Sequence, residues 1–501
     1  MLLLDALREH AERRAAHPAL LWPELALTYG ELGEHVEQAA AVLAGRGVGA
    51  GDRFALAMDR TPAAVVLHLG AQALGATAVP LAPAAGSAVT ATVAELLRPA
   101  GWYGPAAFFR DRLAPESAPA GRLAPEAAWE EICAASPEAP APPDPDAVAL
   151  VLCTSGTSGE PKCVKLTHRA TAAAAAQINR FTGLVAEDRE ILTLPLHHSF
   201  GLGRLRCLLL AGATGFLLPG LFRAERLLAA IRREQATVFA QVPAGLRLLL
   251  AYGERARAYT ASIRRLEIGS AALSVAERER VLALFPEARI CHHFGLTEAS
   301  RSLFCEYHDL AERGKLDSLG RPSPGVEVAL DDPQPAGDRL EGGLKVRGPH
   351  VCAGYANPSL AGAAADGWWP TGDRVQIDRD GFLYSVGRQS DLIDRGGYKV
   401  APEEVERRLV EIAGVEDAAV VGGPDPAAPA TTTLVAFIQP ADPLHPPAAA
   451  DLERQLYAVL EPYKVPAHFR FVAALARTEN GKLRREALRR ELMGAVSETS
   501  P

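Results

Sequence analysis

The chain has 501 residues, 48% of them hydrophobic and 22% charged, with a formal net charge of -8. That length exceeds what one core usually supports and predicts two or more domains, while the acidic balance disfavours a nucleic-acid partner, whose phosphates need a basic face. Seven cysteines with no C-x-x-C pair fit a reducing cytoplasm, with the thiols acting as small buried apolar groups.

Nothing at the start reads as a signal peptide: the apolar run after Met1 is short and meets an acid at Asp5. The most apolar window, 207–222, is broken by Gly212, Gly215, Pro219 and Gly220 and is too short to span a bilayer. Up to about residue 85, helical and strand patterns alternate: a helix opening at 27–32 and carrying Val36, Ala40 and Leu43, a strand over 53–57, a helix over 63–74 and a strand over 77–80. Residues 83–146 are rich in Pro and Ala, and 137–145 reads as an exposed connector.

The run 148–153 then predicts a buried strand that empties into Thr154, Ser155, Gly156, Thr157, Ser158, Gly159 and, after Glu160 and Pro161, Lys162. Glycines let backbone N–H groups approach an anion, and hydroxyls and an ammonium add donors and charge, so a polyphosphate matches this inventory. The spacing is not that of a Walker A loop, because Pro161 stands where its second glycine belongs, nor that of a hydrolase elbow. On composition alone a flexible surface loop fits equally well.

Beyond this loop the alternation is regular. Strands are expected at 190–194, 214–218, 237–240, 265–268 and 289–291, with helices at 171–181, 202–211, 223–234, 243–252 and 275–285. Such a pattern predicts a mainly parallel α/β sheet covered on both faces, with ligands at the carboxyl ends of its strands. There stand the Thr154 loop, the turn 196–201 and the turn 292–298. From about Leu319 short β runs with Gly and Pro take over, and 388–501 reads as a small α+β domain.

Four more polar clusters carry chemistry. Thr297 and Glu298 put a hydroxyl beside a carboxylate after an apolar strand, which suits Mg²⁺ in a phosphate site but equally a helix cap. Asp373 lies in a Pro-Thr-Gly-Asp turn, and Arg388 to Val400 carries alternating charges around Gly396 and Gly397. Lys482 ends a Thr-Glu-Asn-Gly-Lys turn before a basic helix start. Each cluster alone also reads as a turn, hairpin or surface.

In this order the set resembles the adenylate-forming superfamily of acyl-CoA synthetases, peptide-synthetase adenylation domains and luciferases, from Leu27 to Lys482. Gly342 to Gly348, Gly354 with Tyr355, and Pro402 to Glu406 extend the match. The resemblance implies a large N-terminal domain over 1–386, a small mobile α+β domain over 387–501, and two half-reactions on one site. A carboxylate attacks ATP to give an acyl-adenylate and pyrophosphate; a thiol or amine then displaces AMP.

By the same resemblance, Thr154 to Lys162 would hold the β- and γ-phosphates, Thr297 the α-phosphate and Glu298 the Mg²⁺. Asp373 and Arg388 would fix the ribose, Lys482 would bridge carboxylate and α-phosphate, and Gly396 and Gly397 would line the thiol tunnel. Three departures stand out: Ser390 at the hinge, where Asp or Lys is usual; Gly342-Gly343-Leu344 for Gly-Glu-Leu; and Ala474 and Ala476 in place of a proline.

The turn at His197 and His198 lacks the aspartate with which amino-acid-activating members pair the substrate amine, so a fatty or aryl acid is expected. His198 would flank the carboxylate or pack behind it. Gly269, Ser270, Ala271, Ala272 and Gly295 would line the acid, and Arg301 and His293 could bind a polar group on it. The leading expectation is an AMP-forming acid:CoA ligase in the cytoplasm using ATP, Mg²⁺ and CoA. The alternatives are an acyl-AMP ligase serving a carrier-protein phosphopantetheine or an amine, and a catalytically inactive nucleotide-binding homologue.

Overall fold

Apolar runs and capped helices alternate along the first three hundred residues, and the runs pair into two largely parallel sheets. The computed structural model describes residues 1–83, 87–105, 121–155, 161–218, 223–360, 366–395, 398–425, 428–477 and 483–497. One sheet has six strands, ordered Gly121–Leu123, Gly101–Tyr103, Arg53–Ala57, Thr77–Leu81, Val148–Ser155 and Pro161–Thr167. All its pairings are parallel except the last.

The second sheet has nine strands. Its parallel centre runs Arg289–Phe294, Arg265–Ile268, Val238–Gln241, Arg189–Leu192, Thr214–Leu217 and Pro18–Leu21. Leu303–Glu306 and then Arg321–Pro322 add antiparallel strands at one side, and Ala26–Thr28 adds one at the other.

Local chemistry explains the helix starts. Thr28 caps Tyr29–Gly45 in a reciprocal box with Glu31, Ser274 does the same for Val275–Leu284 with Glu277, and Thr167 accepts from the Ala170 amide to begin His168–Thr182. Helix Pro62–Ala73 is buried from Ala63 to Ala73, as expected where parallel strands are covered on both faces.

An antiparallel four-stranded sheet follows: Glu327–Ala336, Arg339–Arg347, Trp369–Ile377 and Leu383–Arg388. Beyond it the chain builds its own core from Val405, Leu409, Val420, Leu434, Ile438, Leu452 and Leu456, under helices Pro402–Val410 and Ala449–Tyr457. The α/β architecture with a β-rich section and a smaller α+β unit is the expected one.

One local expectation, at the cysteines, is corrected. The Pro- and Ala-rich segment holds helix Ser87–Leu97 and helix Pro125–Ala134, because scattered prolines fall at their edges rather than inside. The connector over 137–145 is mostly exposed, as expected, and is anchored where Pro143 is buried and the Arg8 guanidinium donates to the Pro140 carbonyl, 3.1 Å. Cys153 and Cys163 face each other on antiparallel strands, Cα atoms 4.2 Å apart, and are joined as a disulfide, while Cys133 is exposed. No helix among the described residues is long and apolar enough to cross a membrane.

Candidate active site

The strand Val148–Ser155 does not simply empty into a loop; it turns back as Pro161–Thr167, so the loop is the tip of a hairpin. Thr154 stands opposite Lys162 and donates to its carbonyl at 3.5 Å. Gly156, Thr157, Ser158 and Gly159 lie outside the described residues, as does the Ser155 side chain. The base of the hairpin is clamped by Asn357, whose amide donates to the Pro161 carbonyl (3.0 Å) and accepts from the Cys163 amide (2.8 Å). Those two bonds straddle Lys162.

Thr297 and Glu298 follow strand Arg289–Phe294, and no helix begins there; the chain turns into Leu303–Glu306 instead. The helix-cap reading is thereby removed. Gly295 is obligatory in this turn, since a Cβ would stand 2.3 Å from the Arg301 amide nitrogen. The Glu298 carbonyl accepts from the Cys352 amide at 2.8 Å, and Tyr355 Oη donates to Glu298 Oε1 at 2.6 Å. Tyr355 also bridges to Val164 on the hairpin and packs on Trp369, ring centroids 5.4 Å apart.

Trp369 begins the strand that carries Asp373. Asp373 pairs in register with Arg388, whose Nε donates to Asp373 Oδ1 at 3.1 Å. Hairpin base, Glu298 and the Asp373–Arg388 pair are therefore joined by one run of contacts through Tyr355.

Lys482, Gly396 and Gly397 lie outside the described residues. What flanks Lys482 is defined: Arg477 bridges to Leu483, and Arg485 binds Asp391 (3.3 Å) and Glu406 (2.7 Å). Ser390, exposed in the turn Gln389–Asp391, donates to its neighbour Asp391, and Ser385 reaches Glu403 across the segment.

The predicted acid-binding residues gather at the carboxyl ends of the nine-stranded sheet. His198 precedes helix Ser199–Ala211, its ring 4.2 Å from that of His197. Ser270 follows strand Arg265–Ile268 with φ 76°, a strained value for a non-glycine residue. The loop 269–272 is pinned by His292, whose Nε2 donates to the Ala271 carbonyl (3.0 Å) while Nδ1 accepts from Tyr307 Oη (2.7 Å). A carbonyl can only accept, which fixes the tautomer, and burial holds this imidazole neutral.

Beneath the loop lies a buried ion network absent from the sequence reading. Arg204 binds Glu190 (2.6 Å) and Glu267 (2.5 Å); Arg301 binds Glu267 (2.9 Å). Arg301 also donates to Ser300 Oγ and to the Phe200 carbonyl, and is 1% exposed. It is therefore engaged in the interior, and the expectation that it receives a polar group of the acid is corrected. A separate cavity of about 780 Å³, under Pro140 to Asp144 and beside Arg53 and Lys165, contains none of the predicted site residues.

Two thirds of the chain, residues 7–356, match the AMP-binding enzyme family, and residues 404–482 match the C-terminal domain of AMP-binding enzymes. The chain belongs to the AMP-binding enzymes. A feruloyl-CoA synthase from Amycolatopsis sp is 32% identical over 485 residues, covering 93% of this chain and 94% of that protein. A sulfoacetate–CoA ligase from Cupriavidus necator is 35% identical over 350 residues, 69% and 67% of the two chains.

Among solved structures, ATP-bound MatB from Rhodopseudomonas palustris superposes with a TM-score of 0.87 at 26% identity, covering 98% of this chain and 99% of the other. An o-succinylbenzoate CoA synthetase from Bacillus subtilis, holding its acyl-adenylate, gives 0.84 at 27% identity, covering 96% and 97%. The expected superfamily and its ligase chemistry agree with these names. Tyr355, Asn357 and Glu267 were not among the expected site residues; the Gly354-Tyr355 motif was the one signal that pointed toward the first two.

Proposed function

We propose that this AMP-binding enzyme is an ATP-dependent carboxylic acid:CoA ligase acting on a fatty or aryl acid. The observation that carries the reading is the run of contacts from the hairpin base through Tyr355 to Glu298 and, by way of Trp369, to Asp373 and Arg388. Those contacts link the hairpin base, a carboxylate and the Asp373–Arg388 pair, which supports their serving phosphate, Mg²⁺ and ribose at one site. The exclusion of free α-amino acids rests on the acid pocket: Glu267, the carboxylate beside it, is already bound by two guanidinium groups. An ammonium buried there would find no spare counter-charge.

In the first half-reaction a carboxylate oxygen attacks the α-phosphorus of ATP, the bond to the bridging oxygen breaks, and pyrophosphate leaves with that electron pair. Residues Thr154 to Gly159 with Lys162 hold the departing phosphates, Thr297 the α-phosphate, and Asp373 with Arg388 the ribose. Lys482 neutralises charge between carboxylate and α-phosphate, as an ammonium does best in a dry site. His198 flanks the carboxylate. In the second half-reaction the CoA thiol, losing its proton, attacks the acyl carbon and AMP leaves. The unit over 387–501 turns about Ser390 between the two, bringing Gly396 and Gly397 to the thiol path.

Glu298 suits Mg²⁺: Tyr355 occupies Oε1 only, and no cluster of three metal-binding side chains exists among the described residues. Mg²⁺ takes one or two carboxylates and draws its other ligands from phosphate and water, neutralising phosphate charge when bound. A cytoplasmic location accords with ATP and CoA as substrates.

The test is a panel of fatty, aryl and amino acids with ATP and Mg²⁺. Acid-dependent ATP–pyrophosphate exchange is expected without CoA, and AMP with acyl-CoA on adding it. Exchange without acyl-CoA would move the acceptor to a carrier-protein phosphopantetheine or an amine, and no exchange with any acid would overturn the ligase reading. Lys482→Ala should abolish exchange yet largely spare thioester formation from supplied acyl-adenylate; equal loss of both steps would contradict the domain alternation.

A further inference from the structure

We infer that His293, held by Glu267, makes the floor of the acid pocket a hydrogen-bond acceptor, so that the acid activated here carries a hydroxyl or N–H donor away from its carboxylate. The inference rests on the ligase reading and names the substrate class of that same site.

His293 ends strand Arg289–Phe294 and lies directly on Gly269, the first residue of the acid-binding strand end. A Cβ on Gly269 would stand 2.0 Å from Cε1 and 2.2 Å from Nε2 of the ring, so glycine is what lets the imidazole edge come forward. Phe200 meets the ring edge-on at 4.7 Å, and the core residue Phe304 packs against it at 5.8 Å, which fixes the plane of the imidazole.

The chemistry of the ring is set from behind. Nδ1 stands 3.0 Å from Glu267 Oε1 in a bent contact. The carboxylate can only accept, so the hydrogen is on Nδ1. Glu190 and Glu267 are already matched in charge by Arg204 and Arg301, all four side chains 2% exposed or less. A cationic imidazole would leave that network with an uncompensated positive charge in the interior. Burial, offset in part by Glu267, accordingly pushes the imidazole down to about 4. At neutral pH His293 is uncharged with a bare lone pair on Nε2, and among the described residues no hydrogen bond reaches that atom.

An acceptor of this kind selects. A hydroxyl, amine or amide N–H on the acid satisfies it. A second carboxylate or a sulfonate presents acceptor to acceptor, and the neighbouring Arg301 guanidinium does not offset this, because it faces Glu267, Ser300 and backbone carbonyls. A bare alkyl end leaves the lone pair desolvated and unmet. With the Phe200 ring alongside, a hydroxylated or amino-substituted aryl acid fits best.

The full-length enzyme is assayed for acyl-CoA formation with aryl acids differing only at one ring position: hydroxyl, methoxy, hydrogen and carboxylate, the position moved around the ring in successive series. In at least one series the hydroxyl acid should exceed its methoxy and unsubstituted partners in kcat/KM by about tenfold or more, with the dicarboxylic acid poorest. His293→Phe, which keeps a ring and removes the acceptor, should collapse the hydroxyl-to-hydrogen ratio toward one. His293→Gln, whose amide oxygen can accept, should restore part of it.

Equal rates for hydroxyl and unsubstituted acids in every series, a preference for the dicarboxylic acid, or an unchanged ratio in His293→Phe would overturn the inference while leaving the ligase reading standing. Absence of turnover with every acid would overturn both. Should His293→Phe fail to fold, judged by its unfolding transition, the wild-type series decides alone.

Discussion

At the residue scale, Tyr355 organises the site without being expected to touch the reacting atoms. Its hydroxyl fixes one oxygen of Glu298 and its backbone joins the phosphate hairpin. Removing that hydroxyl leaves Glu298 free to swing, and a misplaced carboxylate costs rate steeply. Tyr355→Phe should therefore retain the wild-type unfolding midpoint within about 1 kcal/mol while raising half-saturating Mg²⁺ several-fold in the exchange assay. An unchanged Mg²⁺ dependence would show that Glu298 does not need this bond.

Arg301 illustrates what a sequence cannot disclose at this scale. A basic residue just after Thr297 and Glu298 reads the same whether it faces the ligand or the interior. Its partner Glu267 lies thirty-four positions earlier in a different strand, and only the packing of neighbouring strands brings the two together.

At the element scale, the hairpin matters more than the loop. From Val164 to Thr167 buried and partly buried side chains alternate, a period-two signal of a strand, but four residues are too few to separate it from the helical stretch that follows. Asn357 is what joins this element to the next. Asn357→Ala removes two bonds to the hairpin base, which should cost about 1–3 kcal/mol of stability and weaken ATP binding measured by calorimetry. Full ATP affinity in a folded Asn357→Ala protein would mean that the disulfide and strand pairing position the loop unaided.

The parallel strands were legible because each is a short apolar run bounded by turns. The strands at 18–21 and 26–28 were not, being too short for periodicity to register. Of the catalytic candidates, Asp373 and Arg388 pair across neighbouring strands, and Glu298 is linked to their strand through Tyr355 and Trp369, whereas the surroundings of His293 required tertiary contacts to interpret.

At the scale of the whole molecule, the interior holds several neutral imidazoles. Burial pushes His68 and His197 down to about 3, and His293 and His350 to about 4. Each folded-state value lies below the ordinary one, so the unfolded chain takes up protons that the folded one refuses. Their contribution is whole above about pH 6.5 and is lost as pH falls toward 4 and then 3, at about 1.4 kcal/mol per pH unit for each. The unfolding free energy in urea should drop steeply between pH 6.5 and 4.5. A flat profile there would contradict the buried, uncharged state of these rings.

The same scale carries the central claim, that a carboxylate and the α-phosphorus of ATP meet between Glu298, the phosphate hairpin and Lys482. The direct measurement uses an acid whose two carboxyl oxygens are ¹⁸O and follows the label by mass spectrometry through a single turnover with CoA. Attack on the α-phosphorus predicts one ¹⁸O in AMP and none in pyrophosphate. Label in inorganic phosphate together with ADP, or AMP free of label, would contradict it.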